Sequence, residues 1–125
     1  MDWDVHLCDG TEDIFRESAD VLVISMHRLG LFPDLDGNHF RRFAYSGNIG
    51  KGAGTGYNCK LCWSDSKVGN DDLYVVFDYI VMPLIQDFKP EIILISAGFD
   101  AGYYHVLLYF IYILISAFTI FLSTF

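Results

Sequence analysis

The 125-residue sequence predicts an α/β fold on a mainly parallel sheet, and three stretches carry that prediction. "VLVIS" (21–25) and "EIILIS" (91–96) are short, almost wholly apolar runs dense in β-branched residues, the pattern of strands covered on both faces. Between them Leu73, Val76, Phe77, Ile80, Val81, Leu84 and Phe88 recur at three- and four-residue spacing, which predicts an amphipathic helix over 71–88. A helix that delivers the chain into a second buried strand makes a βαβ unit, and such strands run parallel.

Each element has its local reason. Asn70 and Asp71 are candidate caps for the long helix, Pro83 should bend it or end its regular ladder, and Pro90 stops it before the last strand. A shorter helix is expected after Thr11, which can cap, with Glu12 and Asp13 at the positive end of the dipole. From 29 to 57 no periodicity lasts, and the glycines of "SGNIGKGAGTGYN" fit neither phosphate-binding pattern, so a flexible surface connection feeding a strand over 57–63 is expected.

The opening "MDWDVHLCDG" places Asp2, Asp4 and His6 at alternate positions. On a strand all three project to one face, with Trp3, Val5 and Leu7 on the other. Two carboxylates so close repel unless a proton or a cation lies between them, and a cation suits the imidazole too. Metal binding is the chemistry this spacing suggests, against a solvated strand edge.

Sixteen acidic against eight basic residues give a net charge of −8, which disfavours direct nucleic-acid binding. Cys8, Cys59 and Cys62 are an odd number of cysteines, and no signal peptide opens the sequence, so a reducing intracellular compartment is expected. Cys59 and Cys62 form a C-x-x-C without a second pair. A strand offset of three sets them on opposite faces, favouring two half-buried thiols over a zinc knuckle or redox pair.

After His105 the chemistry changes: residues 106–125, "VLLYFIYILISAFTIFLSTF", carry no charge. As a helix this segment would be about 30 Å long, the thickness of a bilayer core. It is apolar all round, leaving three accounts: a membrane span, burial in a partner, or a foreign reading frame.

Four ordered stretches, "DWDVHLCDGTEDIF", "VLVISMHR", "GKGAGTGYN" and "FKPEIILISAGFDA", resemble the zinc-dependent histone deacetylases, in particular their class II branch. "VGNDDLYVVFDYIVMP" also matches in order and spacing. The resemblance covers 1–101, a partial deacetylase domain, followed by the hydrophobic tail at 102–125. It implies an open, mainly parallel α/β sheet of the arginase/deacetylase type, here incomplete and followed by an apolar C-terminal helix.

The same resemblance assigns zinc to Asp4, His6 and Asp100, the last being the aspartate of "GFDA". Two carboxylates and one imidazole leave an open position for water and substrate, as catalytic zinc requires. It further assigns a structural potassium to Asp2, Asp4, His6, Ser25 and the backbone of Met26, and an acyl-lysine channel wall to Phe32. His27, in an "S-x-H-R" context, reads as structural, while His39 and His105 match nothing.

The match also has gaps. His6 is followed by Leu7 and Cys8 where the family has histidine and glycine. The family's upstream histidine pair, which takes the proton of the attacking water, is not in this sequence. Nor is its downstream carbonyl-polarising tyrosine, because Tyr103 and Tyr104 lie too close to Asp100 to be carried over. The abrupt departure at Gly102 fits a truncated or unspliced reading frame, with a tail-anchored remnant as the rival.

The resemblance therefore implies hydrolysis of acetyl-lysine amides by zinc-activated water, on protein substrates such as histone tails in any full-length form. The place implied is nucleus or cytoplasm, or a membrane if the tail anchors. By itself this chain is expected to be inactive. The alternative function is a non-catalytic metal-binding or membrane-tethered interaction remnant.

Overall fold

The computed structural model describes residues 1–31, 48–64 and 68–98. Its elements run α1 (Asp9–Phe15), β1 (Val23–Arg28), β2 (Asn58–Trp63), α2 (Asn70–Val76), a π turn (Phe77–Val81) and α3 (Met82–Phe88). β1 and β2 pair in parallel, from Val23 opposite Asn58 to Arg28 opposite Trp63.

Two further segments extend this pair. Asp2 bridges Ser25 on one side and Ser96 on the other, both in parallel. Asp2 N–H donates to the Ile24 carbonyl at 2.8 Å and Met26 N–H to the Asp2 carbonyl at 2.9 Å. Trp3 N–H donates to the Ser96 carbonyl at 3.2 Å, and Ser96 N–H to the Met1 carbonyl at 2.9 Å. The order across the layer is thus 94–96, 1–3, β1, β2, with every neighbour parallel. The expected parallel α/β layer is present over this partial domain.

The two faces of the layer differ in chemistry. On one, Trp3, Ile24 and Met26 pack with Phe77, Val81 and Ile85 from the helical run, and Cys59, Leu61, Ile93 and Ile95 border them. This is the apolar core, with Val81 fully buried. On the other face Ser25 and His27 of β1 stand beside Lys60 and Cys62 of β2, and α1 covers them with Glu12. That face is buried but polar: Glu12, Ser25, His27, Asn58 and Lys60 are all nearly inaccessible.

The helical run begins at Gly69, whose N–H is accepted by the Asp72 carboxylate at 2.9 Å, rather than on a cap from Asn70 or Asp71. Its ladder shifts to i→i−5 just before Pro83, where Met82 N–H reaches the Phe77 carbonyl. Pro83 has no N–H to offer Tyr79 and its ring would crowd that carbonyl, so widening the turn keeps the run continuous where a bend or stop was expected. Lys89 ends it in the left-handed region (φ 53°), its N–H on Ile85 at 2.8 Å, and Pro90 follows.

Three expectations are corrected. α1 starts at Asp9, two residues before Thr11, and its Glu12 faces the interior instead of serving the dipole at the surface. The described part of the glycine-rich stretch, 48–57, is a tight turn docked on the end of α1: Lys51 N–H donates to the Arg16 carbonyl at 2.8 Å, and a Cβ on Gly54 would overlap that carbonyl. Last, the expected membrane-spanning apolar helix is not found among the described residues. Among the described residues no helix is long and apolar enough to cross a membrane, and 106–125 lie outside them. The longest helical run, 70–88, is amphipathic and breaks its α-ladder at the π turn.

Candidate metal centre

The chain's opening segment bends at 4–6, while the Val5 carbonyl still accepts the Arg28 N–H of β1 at 2.9 Å. The carboxylates themselves build that bend. Asp2 Oδ1 accepts the Asp4 N–H at 3.0 Å, and Asp4 Oδ1 accepts the His6 N–H at 2.8 Å. Aspartate readily bonds a backbone N–H two residues on, and two such turns in series curl the chain over the sheet's carboxyl edge. Asp4 and His6 are therefore brought together by turns, where strand alternation was expected to do it.

The result is a close donor pair: His6 Nδ1 lies 2.9 Å from Asp4 Oδ1. Both side chains are partly open, 39% and 35% exposed, so the pair is accessible from solvent. Asp2 sits deeper. Burial pushes its carboxyl above the usual range, the adjacent Asp4 charge adds to the rise, and bonds from the Asp4 N–H and the Ser96 hydroxyl oppose it.

Gly98 closes the far side. A Cβ on Gly98 would overlap the Asp4 carboxylate and Cα, so the strand leading out of the sheet touches the first candidate ligand through bare backbone. Asp100 and Phe32 lie outside the described residues, as do His39 and His105. Among the described residues no three His, Cys, Asp or Glu side chains converge to hold a metal, which corrects the expectation of a metal-binding cluster there. Asp4 and His6 are a pair and supply two donors.

The polar face holds what sequence reasoning left unassigned. Lys60 Nζ bonds Glu12 Oε1 at 2.6 Å and the Asn48 carbonyl at 3.1 Å, while Asn48 Nδ2 donates to the same Glu12 oxygen at 2.9 Å. Ser25 Oγ lies 3.1 Å from His27 Nδ1, and Cys62 Sγ lies 3.3 Å from His27 Nε2. Burial pushes the Cys62 thiol up to about 11, so it stays protonated and donates to Nε2, which leaves Nδ1–H for the Ser25 oxygen. His27 is structural, as expected. Cys59 borders the apolar core instead, so the C-x-x-C is split between the two faces, and none of the three cysteines forms a disulfide.

Comparison with known proteins resolves the ancestry of this arrangement. The histone deacetylase domain matches residues 1–109. The chain belongs to the histone deacetylase domain family. It is 37% identical over 108 residues to histone deacetylase 7 of Homo sapiens, covering 84% of this chain and 11% of that protein. To histone deacetylase 15 of Arabidopsis thaliana it is 38% identical over 102 residues, covering 82% and 18%.

Among solved structures, the HDA15 HD domain superposes with a TM-score of 0.71 at 37% identity, over 85% of this chain and 29% of that one. The histone deacetylase Clr3 gives 0.72 at 33% identity, over 81% and 16%. This histone deacetylase family chain thus spans less than a fifth of the length of the curated relatives named.

Proposed function

We propose that this chain carries the ligand-bearing portion of a class II lysine deacetylase site, in which Asp4, His6 and Asp100 hold zinc. The observation that carries the reading is the Asp4–His6 pair at 2.9 Å with Gly98 pressed against Asp4. Two donors about 2.0–2.1 Å from one cation stand roughly 2.9–3.4 Å apart, so this pair fits a shared ion as well as a shared proton. Asp100 follows Gly98 by two residues in the sequence. Zinc in such a set would supply Lewis acidity that lowers the pKa of a bound water.

The chain's own residues do the holding. Asp2 fixes the Asp4 backbone, Asp4 orients the His6 ring through Nδ1, and Gly98 gives Asp4 its clearance. Ser25, across the bridge from Asp2, and Met26, bonded to the Asp2 carbonyl, are proposed to hold potassium with Asp2, Asp4 and His6.

The substrate class proposed for the longer proteins of this family is acetyl-lysine in protein tails. The 125-residue chain supplies neither the paired histidines nor the carbonyl-polarising tyrosine of the family pattern. General acid-base help is worth about 10²–10⁴-fold, so this chain by itself is proposed to be non-catalytic.

Elemental analysis of the purified chain, with Asp4→Ala and Asp100→Ala beside it, tests the reading. Zinc in the wild type and its loss in both variants is the expected result. Equal zinc in all three would overturn the ligand assignment, and robust turnover of an acetyl-lysine peptide would overturn the non-catalytic reading.

A further inference from the structure

The buried polar face holds more hydrogen-bonding groups than it pairs. Asn58 opens β2 two residues before Lys60, so both side chains leave the strand on the side that α1 covers. Asn58 is 2% exposed, and neither its Oδ1 nor its Nδ2 has a hydrogen-bond partner among the described residues. The same holds for Glu12 Oε2, whose sister oxygen takes both Lys60 and Asn48. Two of the three protons on Lys60 Nζ go to Glu12 Oε1 and the Asn48 carbonyl. These groups share one compartment: Asn48 bonds Glu12 and Lys60, and Gly50, two residues on, packs so that a Cβ would lie 3.0 Å from Asn58 Nδ2. Arg16, one turn after Glu12, reaches Asn48 Oδ1 at 3.5 Å. Its walls are therefore α1, the 48–54 turn and β2.

We propose that this compartment is an internal water-binding site, its water held by the Asn58 amide, the second oxygen of Glu12 and the remaining Lys60 proton. A buried donor or acceptor without a partner loses its hydration for nothing, so protein interiors pair nearly all such groups, with ordered water where side chains do not reach. The chemistry of the walls selects the occupant. A cation would meet the Lys60 ammonium, which already stands 2.6 Å from Glu12, and an anion would meet the Glu12 carboxylate. Asn58 presents one acceptor and two donor protons whichever way its amide is turned, while Glu12 Oε2 asks for a donor. The ligand must be neutral and must both donate and accept. Water does so at the smallest size, and buried waters make about three such bonds to otherwise unpaired polar groups. Held there, it ties α1, which begins three residues after His6, to β2.

Two measurements on the full chain test this, with water itself as the probe. Nuclear Overhauser transfer from water to the Asn58 side-chain amide protons should carry the sign of a long-lived bound molecule, not that of surface hydration. Oxygen-17 relaxation dispersion should show internal water in the wild type, and Asn58→Leu, close in volume and without a polar side-chain atom, should lose the amplitude of at least one water per folded chain. Absence of the transfer to Asn58 in the wild type would overturn the proposal whether or not the variant folds. Equal dispersion in the wild type and the folded variant would overturn it too. So would a dispersion amplitude that changes when potassium replaces sodium, which would make the occupant an ion.

Discussion

Gly98 packs against Asp4 with no room for a side chain between them. The contact joins the carboxyl ends of two parallel segments that the sequence separates by more than ninety positions, held in place by the Asp2–Ser96 bridge. It is where the fold and the candidate centre meet.

Gly98→Ala should therefore displace Asp4 and separate it from His6. Overpacking of this kind costs about 1–3 kcal/mol, so urea unfolding should show a moderate loss of stability, while zinc content should fall as far as in Asp4→Ala. Gly10→Ala is the contrasting variant. Its Cβ meets nothing within 4 Å and the residue lies inside α1, so it should gain roughly 0.5–1 kcal/mol with zinc unchanged.

The Glu12–Lys60 pair is the second site where one atom decides much. Both side chains are 2% exposed, so removing one leaves a buried, uncompensated charge. Lys60→Met should cost about 3–5 kcal/mol. Adding Glu12→Leu should restore most of that loss, because a buried ion pair often differs little from an apolar pair of similar volume. A double-mutant cycle in urea measures the coupling, and additive losses would show that the two residues act separately.

Ile85→Ala probes the apolar face independently. Ile85 is buried beside Phe77 and Val81 under the sheet, and truncation should cost about 2–5 kcal/mol. Because the helical run contacts the face opposite the polar layer, the Asp4–His6 pair should survive in the folded fraction, read as unchanged zinc per folded molecule.

Legibility followed the range of the interactions. The apolar run at 21–25 and the helical spacing over 71–88 were readable because each depends on its own residues and on burial, whereas 91–96, expected as a strand covered on both faces, joins the layer through the Ser96 bridge and leaves Ile92 and Leu94 exposed. The strand expected over 57–63 is β2 to within one residue. What escaped depended on distant partners. Glu12 looks like a dipole residue until Lys60, 48 positions on, is known to reach it. The glycines at 50 and 54 look flexible until the backbone of Gly54 is seen to fill the space a side chain at 50 would need, and the 16–18 backbone after α1 the space at 54. In the opening motif Asp4 and His6 meet through two side-chain turns and not through strand alternation, a geometry that D-x-D-x-H also permits. Asp100, Phe32 and the apolar tail lie outside the described residues.

The thiols supply a pH signature. Burial pushes Cys62 from an ordinary 9.0 to about 11, and Cys8 and Cys59 are also raised by burial. A raised thiol pKa means that the unfolded chain releases its proton first. The stability tied to Cys62 is then fully present below about pH 9 and is lost as pH rises toward about 11. Unfolding free energy should fall across that window in the wild type, and Cys62→Ser should flatten the fall by up to one proton's worth of slope, since serine keeps a donor for His27 and does not titrate there. The same protonation makes the native thiols poor nucleophiles. At pH 8 an aromatic disulfide reagent should label the folded chain slowly and the urea-unfolded chain rapidly at all three cysteines. Fast labelling of Cys62 in the folded chain would mean that His27 holds it as a thiolate, reversing the tautomer assigned to the Ser25–His27–Cys62 row.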